Sequence, residues 1–392
     1  MQFDFDEVMN RVGTHSSKWD TMQAKYGVSP KTGISMWVAD MDFRAPPAVQ
    51  TAVADALSHG VHGYFGDDGA YRAALVGWMK RRHQWDVEPK WIINAHGLGQ
   101  AISLCVKAYS APGDGVIVFA PVYHAFARNI KAAGRRVVES PLVQKNGIYQ
   151  MDLDALAARL TGDEKMIIFC SPHNPGGRVW TAKELCQIAD FCEKHDLILI
   201  SDEVHNDLVF KSVKHHVLAN AAPYISNRLV TLVATTKTFN IAGAMIGSMV
   251  VADEFLRAQL ARVVASAGTG SFNRIGMLMC TAAWQDGDEW LEQLLEYLDE
   301  NRRVFDAGIA EIPGLRLMPM GATYLCWVDF SGTGMEPEEF IDRVEGKAEI
   351  AVNYGASFGG GGAMFLRFNI ACRRALVVDA VARLNAAFSD LQ

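Results

Sequence analysis

Through its middle the chain alternates short apolar runs with amphipathic stretches of helical period. The apolar runs are Trp91–Asn94, Gly115–Ala120, Met166–Cys170, Leu197–Ser201, Leu229–Ala234 and Ile246–Val251, and stretches such as Gln100–Tyr109, Tyr123–Ala133 and Ala182–His195 lie between many of them. Short apolar strands separated by helices bury both faces of a mostly parallel sheet, so an α/β fold is expected. The last hundred residues read differently. A long helix from about Glu289 to Ala310, strand-like pieces at Tyr324–Phe330 and Met364–Ile370, and a closing helix from about Arg374 predict a smaller α+β domain. With 392 residues the chain exceeds what one core usually serves. The expected division is a large domain over 46–288 and a small one formed by 1–45 together with 289–392.

Composition excludes several classes. A chain that is 50% hydrophobic and 21% charged does not favour long disorder. A net charge of -7 offers no clustered cations for phosphate backbones, so no nucleic-acid partner is expected. No apolar run reaches the roughly 18 residues of a membrane span. The opening MQFDFDEVMN lacks the charged-then-apolar pattern of a secretory leader, and a cytoplasmic enzyme is the expectation. The cysteines are odd in number with no C-x-x-C pair, which predicts reduced, mostly buried thiols. His215 and His216 read as a solvated loop, with no metal site. Gly359 to Gly362 read as a turn between two strands, because the apolar run Met364–Phe368 follows rather than a helix.

Ligands of open parallel sheets bind beyond the carboxyl ends of the strands, so the residues after each apolar run matter most. These are Ala95-His96-Gly97-Leu98-Gly99, then Pro121-Val122-Tyr123, Ser171 to Gly177 with Asn174, Asp202 to His205, and Lys237. Together they offer a helix start, an aromatic ring, an amide, a carboxylate and an amine. That set suits pyridoxal 5'-phosphate (PLP). Leu98 and Gly99 offer N–H groups to a phosphate, Tyr123 a platform for a flat ring, Asp202 a partner for a ring nitrogen that must stay protonated, Asn174 a donor to the phenolic oxygen, and Lys237 an amine for a Schiff base. Each residue alone also has a plainer reading: Lys237 as a surface lysine, Asp202 as a helix cap, Asn174 as a turn residue, Tyr123 as core. Their joint occurrence at successive strand ends is the argument. Gly97-Leu98-Gly99 opens like a dinucleotide fingerprint, but Ile102 stands where the third small residue belongs.

SPHNPGG (171–177), SDEVH (201–205) and TTKTFN (235–240) resemble the class I/II aminotransferase superfamily of fold-type I PLP enzymes. GTHSSKWD (13–20), WVADMDF (37–43), HGVHGYFG (59–66), VWTAKEL (179–185), KTFNIAGA (237–244), ATYLCWVDF (322–330) and FLRFNIACRR (365–374) are most similar to its cystathionine β-lyase-like, MalY/PatB-type carbon–sulfur lyase branch. The resemblance spans nearly the whole chain. It implies fold type I, with a mostly parallel sheet of the seven-stranded type and a smaller α+β domain. It implies that Lys237 is the Schiff-base lysine and proton-transfer base, Asp202 the pyridinium partner, Asn174 the phenolate partner and Tyr123 the ring-stacking tyrosine. Leu98, Gly99, His205 and Thr236 join them in cofactor binding. Tyr64 resembles a tyrosine that reaches the phosphate of the neighbouring subunit, which implies a homodimer with shared sites. Arg367 resembles the arginine that grips the substrate carboxylate, with Ala39 and Trp37 at the substrate entrance. The substrate implied is an L-amino acid.

Two positions depart from the family pattern. Ala234 stands where many members carry a phosphate-binding serine, and Met245 where typical aminotransferases carry arginine. The lyase branch often lacks that arginine, so Met245 leans toward β-elimination from an S-substituted L-cysteine. Transamination of an L-amino acid is the alternative, since the same residues serve both paths. A regulatory protein on this fold is the third reading.

Overall fold

In the computed structural model, which describes residues 1–391, the apolar runs form one seven-stranded sheet. From edge to edge its strands are Ile92–Ala95, Gly247–Val250, Leu229–Val233, Ile198–Asp202, Glu164–Cys170, Gly115–Ala120 and Arg136–Pro141. Gly247–Val250 runs antiparallel to both neighbours, and every other pairing is parallel. The α/β fold expected from the sequence is therefore present. Arg136–Pro141 was not among the apolar runs. It is an edge strand whose first and last residues are exposed, so no unbroken apolar stretch marks it.

Strand alternation builds a core on each face of this sheet. Ile117, Phe119, Ile167, Phe169 and Leu199 pack with Trp180, Leu185 and Ile188 on one side. Val116, Val118, Met166, Ile168 and Ile200 pack with Cys105, Phe126 and Leu260 on the other. The helices that cover the faces start where the chain supplies caps. Thr181 and Glu184 form a reciprocal capping box for Ala182–Lys194, and Asp253 accepts from Leu256 N–H at 2.8 Å to open Glu254–Ser266.

A second, antiparallel sheet orders Arg316–Leu317, Leu325–Asp329, Phe365–Asn369 and Asn353–Tyr354. Helices Asp288–Ala310 and Arg374–Ala387 pack together beside it, and Asn301 Nδ2 donates to the carbonyls of Ile370 and Cys372 at 3.0 and 2.8 Å. The amino-terminal segment joins this part. Ile34–Ser35 pairs in parallel with Ile350–Ala351, and Phe5 packs on Trp290 with centroids 5.7 Å apart.

His215 corrects the sequence reading of a solvated loop. It is buried, and its Nε2 lies 2.8 Å from Oε2 of the fully buried Glu203. A buried carboxylate needs partners, and Glu203 draws this one from a segment that looks polar and loose in sequence. His216 remains partly exposed. Among the described residues no group of side chains is placed to hold a metal ion, no helix is long and apolar enough to cross a membrane, and every cysteine is unpaired.

Candidate active site

The carboxyl ends of the parallel strands open on a cavity of about 270 Å³. Its walls include Gly97, Leu98 and Gly99, Tyr123, Asn174, Asp202, His205, Thr236, Lys237, Ala39 and Met245. Residues distant in sequence meet here: Lys237 Nζ donates to the carbonyl oxygen of Ala39, 198 positions away, at 2.6 Å.

Backbone geometry prepares one end for an anion. Gly97 has φ +81°, which a side-chain-bearing residue rarely adopts, and it turns the chain into the helix Leu98–Tyr109. No side chain caps that helix, so the N–H groups of its first turn are left for a ligand. Gly247 lets the neighbouring strand close up beneath this turn: a Cβ there would lie 2.5 Å from Leu98 Cδ2.

Asp202 ends its strand and opens no helix. Its Oδ1 accepts from Val204 N–H at 3.2 Å, and burial raises its carboxyl to about 7. A buried carboxyl that prefers its proton is waiting for a cation, which a protonated ring nitrogen supplies. His205 Nδ1 is likewise buried without a partner, and burial, with Lys237 and Arg367 nearby, lowers the imidazole to about 3. Burial also lowers Lys237, to about 8, against the opposing influence of Asp40. Tyr123 is half-buried, its hydroxyl pushed up by burial, and its N–H donates to the carbonyl of Asn174 at 3.1 Å. These features fit PLP: open amides for the phosphate, an aromatic wall, a buried carboxyl without a cationic partner in hydrogen-bond reach and an amine of reduced basicity within one cavity.

Arg367 reaches the cavity through Asn174, donating from Nη1 to Oδ1 at 3.0 Å. Its Nη2 donates to the Trp37 carbonyl at 3.0 Å and to Asn353 Oδ1, and its guanidinium lies 4.9 Å from the centre of the Phe358 ring. Nε has no partner, and burial lowers the group to about 10. A planar donor held on fixed acceptors is suited to a carboxylate.

Two further residues put no side chain into this cavity. Trp37 offers only its carbonyl; its indole is buried among Met22, Val28 and Ala351, with Nε1 donating to the Lys18 carbonyl at 2.8 Å. This corrects its placement at the substrate entrance: a large apolar ring next to a small apolar cluster gains more from burial there than from an open cavity. Tyr64 is 95% exposed and lines a separate groove with Phe65, Phe272 and Arg274.

Sequence reasoning also missed residues that the fold brings in. Tyr324 donates to the Ala39 carbonyl at 3.0 Å, sharing the acceptor of Lys237. It sits inside the ATYLCWVDF motif, which signalled its importance without its role. The contact of Asn353 with Arg367, its neighbour in the small sheet, comes through strand pairing.

Comparison with known proteins agrees with this geometry. The family model for aminotransferase class I and II matches residues 32–384. Cystathionine β-lyase PatB of Bacillus subtilis is 36% identical over 98% of this chain and 100% of its own. Among solved structures, cystalysin of Treponema denticola, which contains a pyridoxal 5'-phosphate cofactor, superposes with a TM-score of 0.95 at 33% identity, covering 100% of both chains. The PLP-bound C–S lyase of Staphylococcus hominis gives 0.91 at 28% identity, covering 99% of this chain and 98% of its own.

Proposed function

We propose, from the premise that this chain belongs to the aminotransferase class I and II family, that it is a PLP-dependent carbon–sulfur β-lyase. It splits S-substituted L-cysteines, cystathionine among them, into a thiol, pyruvate and ammonia. The fold is that of fold-type I PLP enzymes, and the full-length likeness to cystathionine β-lyase and C–S lyases supports the reaction. The observation that carries the reading is the meeting of Lys237, Asp202, Asn174 and the open start of the 98–109 helix in one cavity, with Arg367 bonded to Asn174 behind it.

When bound, the cofactor supplies a conjugated ring that accepts the electron pair released at the substrate Cα. The amides of Leu98 and Gly99 hold the phosphate, aided by Thr236. Asp202 holds the proton on the ring nitrogen, and a cation beside it returns this carboxyl to its ionised form. Asn174 meets the phenolic oxygen, Tyr123 and His205 border the ring, and Arg367 takes the substrate carboxylate. Lys237 Nζ removes the Cα proton; its lowered basicity leaves it neutral for part of the time near neutral pH. The Cβ–S bond then breaks, and the sulfur leaves and takes up a proton. With one water consumed, R–S–CH2–CH(NH3+)–COO− gives RSH, pyruvate and NH4+.

Met245 supports elimination over transamination. It is half-exposed and lines the cavity where aminotransferase-like members carry a phosphate-binding arginine. Tyr64, Val61 and Leu57 expose large side chains close together in sequence, the pattern of a surface that a second copy covers. The reading therefore includes a homodimer in which Tyr64 serves the partner's site, working in the cytoplasm.

The test is a product assay with L-cystathionine and no keto acid. Thiol and pyruvate that disappear in Lys237→Ala support the lyase. Keto acid formed only when an amino acceptor is added would make the protein an aminotransferase.

A further inference from the structure

The loop that carries Ala39 is held by charged residues that do not line the cavity. Arg11 grips Asp40 with both ends of its guanidinium, Nη2 to Oδ2 at 2.8 Å and Nη1 to Oδ1 at 3.1 Å. The same Nη1 reaches the Met41 carbonyl at 3.1 Å and Asp42 Oδ1 at 2.8 Å. Asp42, almost fully buried, also accepts from Lys18 Nζ at 2.8 Å and Trp19 Nε1 at 3.0 Å. Lys18 itself is completely buried and lies 4.0 Å from Asp40. From the other side Asn369 Nδ2 donates to the carbonyls of Val38 and Asp40, both at 2.6 Å, and Asn240 exchanges bonds with Met41. The turn is thus fixed residue by residue, and its centre is the Ala39 carbonyl that receives Lys237.

Charge placement is as specific as geometry. The charged and titratable groups acting on Lys237 are Asp40, Arg367 and Asp202, with His205 affected in return and Tyr324 sharing the Ala39 oxygen. Asp40 leads the charges in that group, and it lies one residue from the lysine's acceptor. A carboxylate there, left unpaired, would draw the amine into an ion pair and hold it protonated.

We propose that Arg11 is a positioning residue of the active site: by pairing with Asp40 it weakens the pull of that carboxylate on Lys237 and keeps the Ala39 carbonyl as the lysine's partner. Arg11 is then part of the catalytic apparatus although it contributes nothing to the cavity wall. This rests on Lys237 being the cofactor lysine.

The test is a pH titration of the visible absorption band of the purified holoenzyme, read beside the pH profile of kcat/KM. Arg11→Met leaves Asp40 with Lys18, 4.0 Å away, as its remaining cation, and both transitions are expected to move up by about one pH unit. Asp40→Asn removes the charge and is expected to move them down. The double variant should return close to wild type, and Arg11→Lys should restore most of the effect. Transitions that stay at their wild-type pH in both single variants, with only a lowered melting temperature, would make Arg11 a fold stabiliser and overturn the proposal. Should Arg11→Met fail to fold, the downward shift in Asp40→Asn decides alone. A wild-type protein without any visible band would defeat the PLP reading itself, and this inference with it; a normal band with unmoved transitions defeats this inference only.

Discussion

Arg367 Nη1 donates to Asn174 Oδ1 at 3.0 Å, a bond between the smaller sheet and the turn after a central strand of the larger one. Under the proposed function this bond couples substrate to cofactor recognition, since Asn174 faces the cavity while Arg367 holds its other side. Truncating a buried, hydrogen-bonded charge costs about 3 kcal/mol, so Arg367→Ala should lower kcat/KM by roughly 10²-fold. Arg367→Lys should recover little, because a single ammonium cannot serve Asn174, the Trp37 carbonyl and Asn353 together. Steady-state kinetics with L-cystathionine checks this; near-normal KM in the lysine variant would place the substrate carboxylate elsewhere.

Lys237→Ala should lower kcat on the order of 10³-fold or more, since in the proposed mechanism it removes the proton-transfer base and the covalent anchor together. The variant should remain folded, because Lys237 Nζ makes one hydrogen bond to a backbone carbonyl rather than a structural ion pair. Circular dichroism and single-turnover assays separate these outcomes. Retained turnover in a folded variant would remove Lys237 from the mechanism.

In the proposed mechanism the basicity of the free Lys237 amine shapes the acidic limb of the kcat profile. Only the neutral amine abstracts a proton, and burial brings Lys237 to about 8. As pH falls below about 8 the ammonium form grows, so kcat should drop toward tenfold per pH unit. A profile flat from pH 8 to 6 would mean that another step limits turnover.

His205 contributes acid sensitivity to the apoprotein. Its folded value is lowered from 6.5 to about 3 by burial, so the unfolded chain takes up a proton that the folded chain refuses. The stability this gives is complete above 6.5 and is lost as pH falls toward 3. His173 has the same sign and the same main cause. The urea midpoint should therefore fall between pH 7 and 4.5 more steeply in wild type than in His205→Gln. Equal slopes would show that His205 is free to protonate in the fold.

What could be read in advance follows from the range of the forces involved. The strands buried on both faces, such as Gly115–Ala120 and Leu229–Val233, announce themselves as continuous apolar runs. Arg136–Pro141 does not, because half of an edge strand meets water. The residues at strand ends were found because topology alone gathers them. Pairings made across the chain were not: Tyr324 joins Lys237 on the Ala39 carbonyl, Asn353 meets Arg367 through sheet register, and Glu203 decides the fate of His215. None of these pairings leaves a local period or motif.

Trp37 provides the sharpest separation between motif and geometry. Its motif, WVADMDF, placed it at the substrate entrance, yet its ring packs against Tyr26 at 5.1 Å and beneath Lys25 at 4.3 Å, away from the cavity. Trp37→Phe keeps an aromatic ring and loses the indole bond to the Lys18 carbonyl, so stability should fall by about 1 kcal/mol. Because only the Trp37 carbonyl meets Arg367, and a backbone group survives the substitution, KM for cystathionine should stay within about twofold. The measurement is a paired one: thermal midpoint and KM for two S-substituted cysteines of different size. A lowered midpoint with unchanged KM values follows if Trp37 acts through its backbone. An unchanged midpoint with a size-dependent shift in KM would return the indole to the substrate entrance, and the 37–42 turn would then contact substrate through its side chains as well.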